Sequence, residues 1–164
     1  FGVHPDDVNA YAASTFFSVD RYASYKQDWG KYYEEGGCLI ADRYTTSNAV
    51  HQASKLTDEK RKAFLDWLFA FEYDLLGLPK PDIVFYLDVP TELAAQMLRG
   101  REQATNTQAD IHEQDQNYLK KCRENAREIV DRYDWQYIAC AANGMMRSIE
   151  EIHEEIYRRV KDLL

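Results

Sequence analysis

Two short, unbroken apolar runs limit what this chain can fold into. Cys38-Leu39-Ile40-Ala41 and Ile83-Val84-Phe85-Tyr86-Leu87 are too short for helices and lack the alternation of a strand with one wet face. Each therefore reads as a strand buried on both sides, the second extending to Val89 and closed by Pro90. Residues 135–139 add a third strand. The sequence around them is patterned for helices. The first spans 6–33, with Asp6 as N-cap after His4-Pro5, Val8, Ala12, Phe16, Val19 and Ala23 at helical spacing, and a stop at Gly36-Gly37. A second covers 57–76 with Phe64, Leu65, Leu68, Phe69 and Leu75 inward, ended by Gly77-Leu78-Pro79. Further helices fall at 91–101, with Thr91 as N-cap, at 115–133 and at 148–164. In the last, Ser148 and Glu151 form a capping box ahead of the stripe Ile149, Ile152, Ile156, Val160, Leu163. Strands alternating with helices predict a parallel sheet covered on both faces, an α/β fold. The polar stretch 102–110 reads as a loop.

The chain of 164 residues is the size of one domain, and 45% hydrophobic with 13% aromatic residues excludes intrinsic disorder. No apolar run reaches the ~18–20 residues of a membrane span. Twenty basic against 28 acidic residues, a net charge of −8, argues against a general nucleic-acid binder. It leaves room for a small anionic ligand, because a few converging arginines outweigh a distant field. Cys38, Cys122 and Cys140 are odd in number and form no CxxC pair, so they read as buried thiols in a reducing cytoplasm. The opening Phe1-Gly2-Val3-His4-Pro5 has no initiator Met and no signal-peptide pattern. The expectation is a sequence that starts inside a longer chain.

Asp42-Arg43-Tyr44 follows the first apolar run directly. Ligands of open parallel sheets bind beyond the carboxyl ends of the strands. An Asp there can hold magnesium and an adjacent Arg can fork two phosphate oxygens, although the same pair can also be a strand-end salt bridge. Thr45, Thr46, Ser47, Asn48, His51 and Gln52 add a dense set of hydrogen-bonding side chains. Phe17 and Arg21 lie one helical turn apart. A ring beside a five-donor guanidinium suits a nucleobase; a core Phe beside a surface Arg is the plainer reading.

Phe17-Ser18-Val19-Asp20-Arg21, then Asp42-Arg43-Tyr44-Thr45-Thr46-Ser47-Asn48, then Pro81-Asp82-Ile83-Val84-Phe85-Tyr86-Leu87-Asp88-Val89-Pro90 resemble, in that order, the thymidylate kinases. Asp110-Ile111-His112-Glu113 and Asn117-Tyr118-Leu119 are similar to the helix after that family's lid. The resemblance implies a P-loop NTPase-like three-layer α/β/α fold, one nucleoside-monophosphate-kinase-like domain, and transfer of the γ-phosphoryl of ATP to dTMP to give dTDP. It implies Phe17 stacked on thymine, Arg21 on its O4, Arg43 on the acceptor phosphate and Asp42 beside Mg2+. Ser47 and Asn48 fall at the acceptor site, Asn48 on the polar edge of the base, and Gln52 falls near the deoxynucleoside. His51 stands where the family usually has Tyr beside the sugar; it reads equally as a surface or core histidine. Arg99 would lie against adenine, Arg101 would reach the transferring phosphates, 102–110 would be the lid, and Asn143-Gly144 would lie over the adenine or simply make a turn. A cytoplasmic homodimer completes the implied picture, with Trp67, Phe69 and Phe71 in its interface or in the core.

The family is built on a phosphate loop, G-x-x-x-x-G-K-[ST], whose amides and Lys cradle the donor phosphates. Glycines at 2, 30, 36, 37, 77, 100 and 144 give no such spacing. In relatives the loop lies ahead of Phe1, on a strand between the runs 38–41 and 83–89. The expectation is an N-terminally incomplete kinase lacking roughly 50–60 residues, the scale of one or two βαβ units of ~30, and unable to transfer phosphate as these residues alone. A deoxynucleoside kinase and a non-catalytic nucleotide-binding module are the competing readings.

Overall fold

A computed structural model describes residues 7–105 and 116–163, and their side chains over 7–100 and 117–163. These fall into two compact units, one ending at Asp82 and one running from Ile83. The described chain is helix-rich, with a small parallel sheet in the second unit.

The first unit opens on α1 (Ala10–Ser24), capped by Asn9, whose side chain accepts from the Tyr11 N–H at 2.8 Å. A π-turn, Tyr25–Trp29, leads into α2 (Gly30–Glu34). The long first helix expected from the sequence is present with a wider turn inside it, but it starts at Ala10 with Asn9 as its cap and not at Asp6. The wide turn has a local cause. A Cβ on Gly30 would sit 2.4 Å from the Tyr25 carbonyl oxygen and 2.8 Å from its ring, so only glycine lets the buried Tyr25 lie there. The Tyr25 hydroxyl donates to Glu34 Oε1 at 2.7 Å. The buried face of α1 is Ala10, Ser14 and Ser18, while Phe16 and Val19 are more than half exposed. The apolar series does not mark the inward face, because this helix presents the Ser18 hydroxyl and the Arg21 guanidinium to a buried carboxyl described below.

α3 (Thr45–His51) and a 3₁₀ turn, Ala53–Lys55, precede α4 (Asp58–Phe69), which continues into a second π-turn, Ala70–Leu75. Phe64, Leu65 and Leu68 are buried as expected, with Ala49, Ala53 and Leu78 around them. Leu75, expected inward, is 79% exposed. Position 72 keeps the inward register of Leu65 and Leu68, and the wider i→i+5 turn then retards the phase of the helix, so position 75 turns to water. Residues 38–41 form no strand and are exposed, Ile40 almost wholly. The buried strand expected there is absent, because among the described residues no strand pairs with it and an unpaired strand leaves its backbone groups unsatisfied. Cys38 is exposed for the same reason, whereas Cys122 and Cys140 are buried, and all three are free thiols.

In the second unit β1 (Phe85–Asp88) pairs in parallel with β2 (Gln136–Ala139), Phe85 opposite Gln136 and Asp88 opposite Ala139. Parallel neighbours need a long crossover, and α5 (Thr91–Thr105) and α6 (Gln116–Arg132) lie in it. α5 runs past the end expected at Arg101, so residues 102–105 are helical and not loop; the rest of the expected loop, 106–110, and Glu113 lie outside the described residues. Tyr118, Cys122, Ala126, Ile129 and Val130 of α6 are buried, as is Ile138 of β2. A tight hairpin follows, β3 (Ala141–Ala142) against β4 (Met145–Met146). Its Asn143-Gly144 turn has φ of +52° and +77°, the two left-handed residues a type I′ turn requires. α7 (Ile149–Val160) carries the capping box foreseen, with Ser148 Oγ accepting from the Glu151 N–H at 3.1 Å.

At the carboxyl end of β1, buried Asp88 accepts from Arg123 at 2.6 and 2.9 Å, from Arg127 at 2.8 Å and from the Tyr137 hydroxyl at 2.6 Å. Burial alone would push this carboxyl up, but hydrogen bonds from Arg123, Tyr137 and Arg127 outweigh it and hold it well below the usual carboxylate range. Because its folded pKa is depressed, Asp88 stabilises the unit above about pH 4, its unfolded value, and that contribution is lost as pH falls further. Asp88→Asn is expected to lower stability by about 2 kcal/mol at pH 7. Paired melting curves from pH 7 to pH 2 should show the gap between variant and wild type closing below about pH 4.

Candidate functional site

The first unit is organised around Glu72, a carboxyl with no exposed surface. It sits in the π-turn after α4, at the inward register continued from Leu65 and Leu68. Three side chains from two other helices close on it. Arg21 Nη1 donates to Glu72 Oε1 at 2.8 Å and to Oε2 at 2.6 Å. The Ser18 hydroxyl reaches Oε1 at 2.8 Å and the Thr45 hydroxyl reaches Oε2 at 2.5 Å. The Arg21 guanidinium also lies 5.2 Å from the centroid of the Tyr44 ring, within cation–π range. The Tyr44 hydroxyl donates to the Pro79 carbonyl at 3.0 Å, and burial pushes its pKa up. Burial likewise pushes Tyr73 up to about 12, so both phenols stay neutral donors at physiological pH.

Arg21 therefore has Nη1 engaged and its Nε and Nη2 donors without a partner among the described residues. Phe17, one turn earlier on α1, is 53% exposed, available to stack and not the core residue of the plainer reading. Thr45 and Asn48 of α3 and Gln52, its C-cap, are spaced i, i+3, i+7 and are all buried. The amide nitrogen of Asn48 and the amide oxygen of Gln52 find no hydrogen-bond partner, nor does the Ser14 hydroxyl. Buried polar groups are seldom left so, and Asn48 and Gln52 are residues expected at the acceptor site.

Arg43 differs from Arg21 in its electrostatics. It is exposed, adopts φ +69°, uncommon for a non-glycine residue, and its one partner among the described residues is the neutral Ser47 hydroxyl, at 3.1 Å from Nε. Its charge is thus uncompensated, while that of Arg21 is balanced by Glu72. Asp42 beside it is exposed and engaged by no described partner. No group of three or more metal-type ligands occurs among the described residues. A single free carboxylate nevertheless fits magnesium, which keeps several waters and is held by one or two carboxylates plus substrate phosphates. His51 is half-buried on α3.

In the second unit Arg99 is exposed on α5, and the Asn143-Gly144 turn follows the carboxyl end of β2. Arg101 lies on α5, but its side chain falls outside the described residues. Sequence reasoning missed Glu72 and the hydroxyl it takes from Ser18. The available signal was a lone acid at an inward position of an apolar helix, where charged residues are rarely found unpaired.

A helix-rich α/β chain with a parallel strand pair, an arginine balanced by a buried carboxyl and a second arginine left uncompensated describes a protein suited to a planar, anionic ligand. The thymidylate kinase family model matches residues 4–156. The chain is 36% identical over 118 residues to a thymidylate kinase of Mycobacterium tuberculosis (strain CDC 1551 / Oshkosh), covering 70% of this chain and 54% of that protein. It is 32% identical over 121 residues to a Dictyostelium discoideum thymidylate kinase (74% and 45%), and 26% identical over 153 residues to a probable thymidylate kinase of Thermococcus kodakarensis (93% and 66%). The chain belongs to the thymidylate kinase family. It spans about half the length of the first of these relatives.

If the unpaired amide of Asn48 serves a ligand and not the fold, an apolar residue of similar volume is tolerated by the unliganded protein. Asn48→Leu is expected to change stability by between zero and about +1 kcal/mol, read by thermal melting without nucleotide.

Proposed function

We propose that the protein is a nucleoside-monophosphate kinase that transfers the γ-phosphoryl of ATP to dTMP, giving dTDP. The observation that carries the reading is the pairing of Arg21 with Glu72, which leaves unengaged guanidinium donors one turn from the exposed ring of Phe17. Thymine presents a keto oxygen to such donors, and cytosine presents an amino group that cannot accept. Sites that hydrogen-bond a substrate group reject analogues lacking it far more strongly than apolar pockets reject a size change.

The remaining roles follow from charge and exposure. Arg43, uncompensated and exposed, suits the acceptor phosphate. Asn48 and Gln52 supply unpartnered buried groups for the nucleoside, with Ser47 and His51 beside them. Asp42 would hold Mg2+, which neutralises charge on the phosphates when bound. Arg99, Arg101, Asn143 and Gly144 serve ATP, the polar segment 102–110 contributes the lid, and the whole belongs to the P-loop NTPase-type three-layer fold its family implies. No helix of the described residues is long and apolar enough to cross a membrane, and the free thiols accord with a reducing compartment. The proposal is completed by a homodimer in the cytoplasm.

The test is ADP release by the full-length protein with ATP, Mg2+ and a panel of acceptors. Turnover is expected with dTMP and to be small with dCMP, dGMP or thymidine. Equal turnover of thymidine and dTMP would replace the reading with a deoxynucleoside kinase, and nucleotide binding with no turnover would replace it with a binding module. Arg43→Met should raise the KM for dTMP about tenfold or more, the loss of one charge-assisted phosphate contact, with a much smaller effect on the affinity for thymidine.

A further inference from the structure

Glu72 lies outside every motif that carries the family resemblance, yet it is wholly buried and takes hydrogen bonds from Arg21, Ser18 and Thr45. We infer that Glu72 is a positioning residue that makes Arg21 a reader of the base edge and keeps it from acting as a second phosphate binder. The inference rests on the reading of Arg21 as the base-edge donor.

The geometry supplies the orientation. A guanidinium is planar with five donors in a fixed fork, so holding Nη1 on both oxygens of Glu72 with the guanidinium carbon 5.2 Å from the Tyr44 ring centroid restricts where Nε and Nη2 point. The carboxyl cannot follow Arg21 if it swings. Ser18 of α1 fixes one oxygen and Thr45 of α3 fixes the other, while the backbone bearing it lies in a π-turn at the inward register continued from Leu65 and Leu68. Wider turns of this kind recur at functional sites.

Charge supplies the selectivity. Arg21 is balanced by its contact with Glu72 at 2.6 Å, whereas Arg43 has no acidic partner among the described residues. A nucleotide entering such a site finds one arginine with a free charge and one that offers directed N–H groups without net attraction for an anion. The phosphate is thereby sent to Arg43 and the keto edge to Arg21, and the ligand has one orientation.

The experiment compares steady-state kinetics of dTMP and dCMP for the full-length wild type, Arg21→Met, Glu72→Gln and Thr45→Val, each checked for a cooperative melt. Glu72→Gln keeps the shape but puts an amide N–H₂ where an acceptor oxygen met Arg21 or Thr45, and it frees the charge of Arg21. The expected result is a KM for dTMP raised about tenfold, a KM for dCMP unchanged or lowered, and a preserved kcat for dTMP. The preference for dTMP over dCMP shrinks accordingly. A purely structural Glu72 would lower the melting temperature and leave that preference intact, and this result overturns the inference. If Glu72→Gln does not melt cooperatively, Thr45→Val decides, since it removes one neutral donor and keeps the ion pair; a smaller shift in the same direction supports the inference and an unchanged preference overturns it. Arg21→Met separates the two claims. If it keeps the preference for dTMP, the base-edge reading of Arg21 fails and takes this inference with it. If it loses the preference while the Glu72 and Thr45 variants keep it, only this inference fails.

Discussion

A carboxyl group placed where no water reaches it governs the first unit of this protein. Glu72 is tolerated because two other helices contribute donors: α1 gives Arg21 and Ser18, and α3 gives Thr45. The cost of burying one charge falls only when an opposite charge and further hydrogen bonds accompany it. That requirement propagates outward. It explains why α1 turns Ser18 inward and leaves Val19, next to it, exposed, and the widening of the helix after α4 at Ala70–Leu75 turns Leu75 to water beyond it. Removing one partner from such a cluster is far costlier than its net worth suggests, since the group left behind stays buried.

The second unit repeats the device at the end of its strand pair. Asp88 closes β1 and binds two arginines of α6 and a tyrosine of β2, so one carboxyl ties the crossover helix to both parallel strands. The difference lies in exposure. Arg127 is half exposed where Arg21 is largely covered, so the contribution of Arg127 is screened by solvent and that of Arg21 much less so. The Asp88 cluster is for this reason read as fastening the fold, and the Glu72 cluster as orienting a side chain.

The features legible in the sequence were those decided locally. The Ser148–Glu151 capping box, the Asn143-Gly144 turn and the runs that became β1 and β2 depend on residues within a few positions of one another. Legible too were Arg21 and Phe17 on one face of α1, because helical spacing alone sets that. The features that misled depend on partners the local sequence does not name. An unbroken apolar run reports that a segment suits burial, but it cannot supply the neighbouring strand, and residues 38–41 stand exposed without one. The inward face of α1 was misplaced because its determinant is 54 residues away, at Glu72. A π-turn shifts helical phase by a fraction of a turn, which a 3.6-residue period cannot anticipate.

Net charge also takes on a different meaning once side chains are paired. At −8 the whole chain repels anions weakly at long range, and screening removes most of that beyond ~10 Å. What an approaching anion meets is local, and there the two arginines are not equivalent. Arg43 has a neutral hydroxyl as its partner, while Arg21 has a carboxylate. On the proposed assignment, two free arginines would each be able to capture the phosphate, and the base would have two places to lie. Balancing one of them by a buried acid removes that ambiguity without lengthening or shortening a single side chain. On the proposed assignment, discrimination between bases would follow from which arginine retains its charge, as much as from which groups touch the ring.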